Sequence, residues 1–322
     1  MIVPRHGTVV QSLYGIRIRT PWPVAGAPVI DEKWDVEFLE GDRDELAAAA
    51  SCVPDNQSSN WAQSAVLPDG SQYRRWADLF EFLVTPDARQ IQARTLAAAV
   101  HNEAVLAYLL VDALSFSMVR LGWEPLHATA VTTERGTAAF LGNSGAGKST
   151  LAAAFVQSGA RLVTDDMLIL TRDGSRWLAQ PGPPRIKLYR EMAIRIFGAD
   201  TVGIPMNAVT EKLIIPLDAG RAMAAPATAA ALYILHEPGD DAAKDPMIQR
   251  LSPGRAFPAL LAHTAAHYPS DADRLKRQLE FVGQLVTDVP VSALSYTRDA
   301  HGLCRVRHGV LADLEAPHDQ RK

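Results

Sequence analysis

One stretch of the sequence has the residue types and spacing of a phosphate-binding loop. Residues 142–150 read GNSGAGKST, which fits the pattern G-x-x-x-x-G-K-[S/T]. Glycines in such a loop let the backbone approach an anion without a Cβ in the way, and the N–H groups that open the next helix point at phosphate oxygens. The lysine can reach the β- and γ-phosphates, and the following hydroxyl can bind Mg²⁺. The pattern predicts a site for ATP and magnesium.

The residues around the loop have the pattern that a true phosphate loop needs. An apolar strand is predicted over 137–141, and an apolar helix is predicted to run from Ser149 onward. The predicted nucleotide-binding residues are Gly142, Asn143, Ser144, Gly145, Ala146, Gly147, Lys148, Ser149 and Thr150.

Two consecutive carboxylates follow the next predicted strand. The sequence GARLVTDD places Asp165 and Asp166 one helix after the loop. In open α/β sheets, the carboxyl ends of strands face the ligand crevice. One carboxylate there can hold Mg²⁺, and the other can accept the proton of an attacking hydroxyl. The alternative interpretation is an Asp-Asp turn before a strand.

Other candidates are a histidine and a basic strand. His127 lies on the strand predicted before that of the loop, where it is either structural or contacts phosphate or a carboxylate. Arg185 and Lys187 share one face of an extended segment, from which a cation can neutralise a transferring phosphoryl group. The alternative for these cations is an exposed basic edge strand.

A histidine pair with helical spacing has two interpretations. His263 and His267 are four residues apart, which would place both on one helix face and suit a metal. The segment lacks the acidic residue of an H-E-x-x-H motif, which favours surface histidines.

The composition is that of a globular protein. The chain has 322 residues, of which 48% are hydrophobic and 21% charged, with a net charge of −4, so neither nucleic acid nor a membrane surface is an expected partner. There are two cysteines without C-x-x-C spacing and no N-terminal secretory pattern. The most apolar run, 104–111, is shorter than the roughly 20 residues that cross a bilayer. We expect a cytoplasmic protein.

The order of elements predicts an α/β fold with a smaller β-rich N-terminal domain. Residues 1–95 contain short alternating segments such as YGIRIRT and a P-D-G turn at 68–70, which favour a β-rich recognition or cap domain. Residues 96–121 are predicted to form a linking helix, and residues 122–316 the catalytic domain.

Three motifs in order resemble the catalytic domain of the HPr kinase/phosphorylase family. They are LHATAV, GNSGAGKS and RLVTDD, and the resemblance is specific over about residues 122–175. It implies a phosphate-loop kinase core distantly similar to phosphoenolpyruvate carboxykinase. It also implies ATP- and Mg²⁺-dependent phosphorylation of a serine hydroxyl, with an aspartate as base.

The resemblance assigns roles to individual residues. Lys148 and Ser149 take the nucleotide and metal roles, and His127 that of the active-site histidine. Asp165 is favoured as the base and Asp166 for the metal side, although the sequence itself leaves the division of roles within the pair open.

The chain also departs from this family. The glycine-rich signature that follows the aspartates is replaced by PGPPRIKLYRE, so neither the reverse phosphorylase activity nor HPr as substrate is carried over. The opening YGIRIRTPWPV resembles HPr kinase-like proteins of modified-peptide pathways, some of which phosphorylate the C-terminal residue of lasso-peptide precursors. HPr kinases form hexamers, so a homo-oligomer is compatible with the resemblance.

The function predicted is transfer of the γ-phosphoryl group of ATP to a serine-type hydroxyl on a peptide or small protein. The resemblance extends this to the C-terminal residue of a lasso-peptide precursor. The alternatives are a small-molecule kinase on the same core and a regulatory ATPase.

Overall fold

The computed structural model describes residues 7–57, 60–76, 79–96, 102–207, 210–236, 245–264, 271–298 and 300–316. The strands are β1 (Val9–Leu13), β2 (Ile16–Thr20), β3 (Val29–Ile30), β4 (Val36–Glu40), β5 (Ala62–Val66), β6 (Gln72–Trp76), β7 (Phe80–Val84), β8 (Gln90–Thr95), β9 (Ala128–Thr133), β10 (Gly136–Leu141), β11 (Arg161–Thr164), β12 (Leu170–Asp173), β13 (Arg176–Ala179), β14 (Arg185–Tyr189), β15 (Ile204–Asn207), β16 (Thr210–Pro216), β17 (Ala227–Leu235), β18 (Met247–Arg250) and β19 (Val291–Ser295). The helices are α1 (Arg43–Ala50), α2 (Asn102–Tyr108), α3 (Leu114–Arg120), α4 (Lys148–Gln157), α5 (Arg190–Phe197), α6 (Pro253–Leu261), α7 (Ala272–Asp288) and α8 (Ala300–Glu315).

The chain divides into two compact units. The first contains Met1–Trp123 and Gly203–Ile214, and the second contains Glu124–Val202 and Ile215–Lys322. This division groups the predicted linking helix with the N-terminal strands. The predicted boundaries at 95 and 121 stay predictions.

The first unit is built on a mixed eight-stranded sheet in the order β3-β1-β2-β4-β8-β7-β6-β5. In β2 the alternation predicted from the sequence holds, because Ile16 and Ile18 are buried while Arg17 and Arg19 are ion-paired to carboxylates. The predicted turn at 68–70 joins the antiparallel strands β5 and β6.

A long apolar helical stretch belongs to this unit. It runs over Asn102–Arg120 through a π-helical turn at Leu109–Ala113, and residues 97–101 of the predicted helix lie outside the described residues. By length and composition this stretch could cross a membrane, so the expectation from the shorter run 104–111 was incomplete. Its most apolar window is 72% buried within the structure, as in the core helix of a soluble protein.

The second unit is built on a sheet with the order β11-β9-β10-β17-β13-β12, in which β19 also pairs with β17 and β18. Strands β10, β17 and β19 are parallel, and β9 is antiparallel to both β10 and β11. The carboxyl ends of β11, β10, β17 and β19 therefore lie at one edge of the sheet. This is the edge at which open α/β sheets bind ligands.

Helices cover both faces of this sheet. In β10, Phe140 packs against Phe155 of α4, with 5.6 Å between ring centroids, while Leu141 belongs to a buried cluster with Leu260 of α6 and Leu285 of α7. Because the sheet is covered on both faces, β10 is buried continuously from Thr137 to Leu141, with no alternation of buried and exposed residues. The predicted mixed α/β class is confirmed.

Candidate functional site

The glycine-rich segment connects the end of β10 with the start of α4. Gly147 precedes α4 with φ 93°, and Gly142 has φ 158°. A Cβ at Gly142 would lie 2.9 Å from the Cβ of Ala146, and one at Gly147 would lie 3.2 Å from the hydroxyl oxygen of Tyr296. Glycine is therefore required at both positions. The first N–H groups of a helix have no partner within the helix, so those at the start of α4 are donors that an anion can bind.

Lys148 is buried at the base of the loop. Its ammonium donates to the carbonyl oxygens of Gly142, at 2.7 Å, and Asn143, at 3.1 Å, and to Nε2 of His127 at 3.0 Å. An ammonium only donates, so Nε2 of His127 is an acceptor and its Nδ1 carries the proton. Nδ1 accordingly donates to the carbonyl oxygen of Asp166 at 3.0 Å.

His127 is held as a neutral ring by these neighbours. Burial lowers its pKa, and the positive charge of Lys148 lowers it further. The residue lies one position before β9, and its backbone N–H donates to the carbonyl of His263 at 2.7 Å. His127 thus joins the lysine of the loop to the backbone of the aspartate pair.

Asp165 connects three elements of the second unit. Its Oδ1 accepts from the hydroxyls of Ser149, at 2.8 Å, and Thr129, at 2.7 Å, and its Oδ2 accepts from the backbone N–H of Lys187 at 2.9 Å. Asp165 comes directly after β11, and its side chain is 5% exposed. Through these hydrogen bonds it contacts α4, β9 and β14. Burial raises its pKa, and the adjacent charge of Asp166 raises it further.

Asp166 reaches the same site through an unusual backbone conformation. Consecutive side chains of an extended chain point to opposite faces, which would separate the two carboxylates. Asp166 has φ 71°, in the left-handed region that aspartate tolerates better than most residues. Its carboxylate forms an ion pair with the ammonium of Lys187, and its side chain is 23% exposed.

The basic strand β14 is buried rather than exposed. Arg185 is 7% exposed and Lys187 is 9% exposed, so the alternative of an exposed basic edge is wrong. Lys187 contacts both aspartates, one through its backbone and one through its ammonium. Arg185 lies two residues earlier in the same strand.

Sequence reasoning missed two contacts of the site. Thr129 is fully buried and donates to Asp165, and its position two residues after His127 is the signal that could have indicated it. His263 is 9% exposed and lies beyond the end of α6, so its interpretation as a surface helix histidine is wrong. His267 lies outside the described residues.

The donor set fits magnesium better than a metal held by protein side chains alone. Among the described residues, no group of three or more histidine, cysteine, aspartate or glutamate side chains is arranged for a metal. Mg²⁺ is commonly held by one or two carboxylates together with phosphate and water oxygens. The hydroxyl of Ser149 and the carboxylate of Asp165 are adjacent oxygen donors of this kind.

No family model matches the chain, and no curated protein matches it in sequence. Among solved structures, the chain is similar to the Hpr(Ser) kinase/phosphatase from Coxiella burnetii, with 12% sequence identity and a TM-score of 0.33. The alignment covers 59% of this chain and 97% of that one.

Proposed function

We propose that this chain is a kinase that transfers the γ-phosphoryl group of ATP to a serine-type hydroxyl of a peptide or small protein. The hydrogen bond between Ser149 and Asp165 carries this proposal, because it joins the phosphate loop to a pair of carboxylates. A phosphate loop alone suits any enzyme that uses a nucleoside triphosphate. Asp166 adds a group that can take the proton of an acceptor hydroxyl, and Lys187 adds a cation beside it.

The loop and its neighbours would hold the nucleotide and the metal. Residues 142–150 bind the phosphates with backbone N–H groups, and Lys148 supplies a positive charge at the base of the loop. Ser149 and Asp165 supply the oxygen donors for Mg²⁺. When bound, ATP supplies the phosphoryl group and Mg²⁺ neutralises charge on its oxygens.

The geometry favours a division of roles within the aspartate pair that is the reverse of the one favoured from the sequence. Asp165 is buried, and both of its oxygens already accept hydrogen bonds, one of them from the hydroxyl of Ser149. It therefore suits the metal side. Asp166 is the more exposed carboxylate, and an acceptor hydroxyl can reach it more readily. We assign Asp166 as the base.

Lys187 and His127 prepare the groups that act. The ammonium of Lys187 forms an ion pair with Asp166 and so holds a positive charge beside the proposed base. Neutral His127 accepts a hydrogen bond from Lys148 and so holds the ammonium near the loop. Both residues position charge before substrate binds, which is how enzymes stabilise charge that develops during transfer.

The acceptor is proposed to be a serine-type hydroxyl, with the C-terminal residue of a lasso-peptide precursor as one candidate. Residues 1–95 are proposed to recognise it. Cys52 and Cys304 are both free thiols, which is compatible with the reducing cytoplasm proposed as its location.

The destination of the γ-phosphoryl group tests this function. The enzyme is incubated with Mg²⁺ and γ-labelled ATP, together with candidate peptides encoded beside its gene. Label on a serine of a peptide, absent with Asp166→Asn, supports the proposal. If the enzyme instead labels a small molecule in a cell extract, the small-molecule kinase becomes the better account. If the label is found only in inorganic phosphate, the regulatory ATPase becomes the better account.

A further inference from the structure

A second cation lies beside the phosphate loop, on the side away from the aspartate pair. The aspartates follow β11, and the loop follows β10, two strands further along the sheet. Beyond the loop come the carboxyl ends of β17 and β19. The segment after β19 carries Arg298, which lies at the loop on the side away from the aspartates.

Arg298 contacts the loop by a long hydrogen bond. One terminal nitrogen of its guanidinium donates to the carbonyl oxygen of Gly145 at 3.5 Å, and the side chain is exposed. This length is at the weak end for an N–H···O bond, so a stronger acceptor can displace the carbonyl. A phosphate oxygen is such an acceptor, because it carries a negative charge that attracts the guanidinium and that the carbonyl oxygen lacks.

The segment that carries Arg298 is fixed against the loop. Tyr296 is 4% exposed, and its hydroxyl lies so close to Gly147 that a Cβ there would come within 3.2 Å. Burial raises the pKa of Tyr296 to about 12, so its hydroxyl stays neutral at physiological pH. The tyrosine thus anchors the segment two residues before the arginine.

We propose that Arg298 binds the polyphosphate chain of the nucleotide, opposite the aspartate pair. This inference rests on the proposed function, since it adds a residue to the same site. Lys148 contacts the loop from its buried base, whereas Arg298 contacts it from its exposed rim. A guanidinium has five donors in a planar fork that matches phosphate oxygens, and a single long bond occupies one of them.

Calorimetric titration with Mg²⁺-ATP and with magnesium tripolyphosphate tests the inference, because tripolyphosphate has no nucleoside. We expect Arg298→Ala to weaken the binding of both compounds by about tenfold, the usual loss for a hydrogen bond to a charged group. Arg298→Lys should weaken their binding less, because it keeps the positive charge. Arg307→Ala, which removes a positive charge from α8, is the matched control and should bind both like the wild type.

The outcomes separate this inference from the function on which it rests. If the wild type binds both compounds and Arg298→Ala binds them equally well, the inference fails and the proposed function stands. A loss for ATP without a loss for tripolyphosphate also overturns it, because the contact would then be to the nucleoside. If the wild type binds neither compound, the proposed function itself fails. Arg298 is exposed, so we expect unchanged thermal unfolding of the variant.

Discussion

The hydroxyl of Ser149 donates to the carboxylate of Asp165 across 2.8 Å, which places the first turn of α4 in contact with the end of β11. The same carboxylate accepts from the backbone of Lys187, whose ammonium pairs with Asp166. The start of α4, two carboxylates and a buried cation therefore form one continuous polar network.

Replacement of each aspartate by asparagine should separate the two roles. We expect Asp166→Asn to reduce kcat by about 10²- to 10⁴-fold, the usual contribution of a general base, with little change in the affinity for Mg²⁺-ATP. Asp165→Asn should instead remove the enhancement of ATP binding by Mg²⁺. Measurement of kcat and of ATP affinity with and without Mg²⁺ checks both. The opposite pattern would restore Asp165 as the base.

His127 should set the acid limit of nucleotide binding. Its pKa is lowered below the usual 6.5 by burial and by the charge of Lys148, so the neutral ring predominates at pH 6.5 and the charged form gains as the pH falls further. Protonation at Nε2 removes the acceptor for Lys148 and sets two cations side by side, with Lys187 and His263 also nearby. We expect ATP affinity to fall as the pH falls through this lowered pKa.

The titration of His127 can be followed directly by NMR of its ring. A midpoint at or above 6.5 would contradict the account. In His127→Asn the side-chain amide can still donate to the carbonyl of Asp166, but no ring titrates. This variant should bind ATP more weakly than the wild type, and its ATP affinity should not fall further as the pH falls.

Asp165 should reduce stability at neutral pH. A carboxyl whose folded-state pKa is raised binds more protons when folded, so the free energy of unfolding falls as the pH rises from the ordinary value of 3.8 through the raised one. We expect Asp165→Asn to be more stable than the wild type at neutral pH, with the difference shrinking toward pH 3.8. Denaturant unfolding across this range measures it. A variant that is less stable at neutral pH and no better at acid pH would show that the hydrogen bonds of the carboxylate outweigh the cost of its burial.

His263 should have the opposite effect on the pH dependence of stability, because it lowers the free energy of unfolding as the pH falls. Burial, together with the neighbouring His127 and the charge of Lys148, lowers its pKa to about 4, so between about 4 and 6.5 the unfolded chain binds more protons than the folded one. Its contribution to stability is present above pH 6.5 and is lost as the pH falls toward 4. We expect His263→Gln to flatten the fall in unfolding free energy over this window. An unchanged slope would place the source of acid sensitivity elsewhere.

The sequence predicted best those features that local chemistry determines. The strand and the helix on either side of the glycine-rich loop lie where the apolar pattern placed them, while the binding of phosphate by this loop stays a prediction. The alternation of β2 was likewise predictable, since a strand with one buried face repeats every two residues.

Contacts between distant residues were less predictable. Lys187 meets Asp165 across 22 residues, which no local pattern indicates. The left-handed conformation of Asp166 brings both carboxylates to one site, but residue types alone do not show it. His263 looked like part of a helix because its spacing fits one, whereas α6 ends at Leu261 and the histidine is buried in the following turn.

The central claim is that the loop and Asp165 form a single site for nucleotide and metal, and calorimetric titration with ATP and Mg²⁺ tests it most directly. We expect the wild type to bind Mg²⁺-ATP, Lys148→Ala to lose about tenfold to a hundredfold in affinity and Ser149→Ala to lose the Mg²⁺ dependence. The matched controls are Lys276→Ala, an exposed lysine of α7, and Ser158→Ala, at the opposite end of α4, and both should bind like the wild type. Absence of binding by the wild type, or equal binding by Lys148→Ala, would contradict the account.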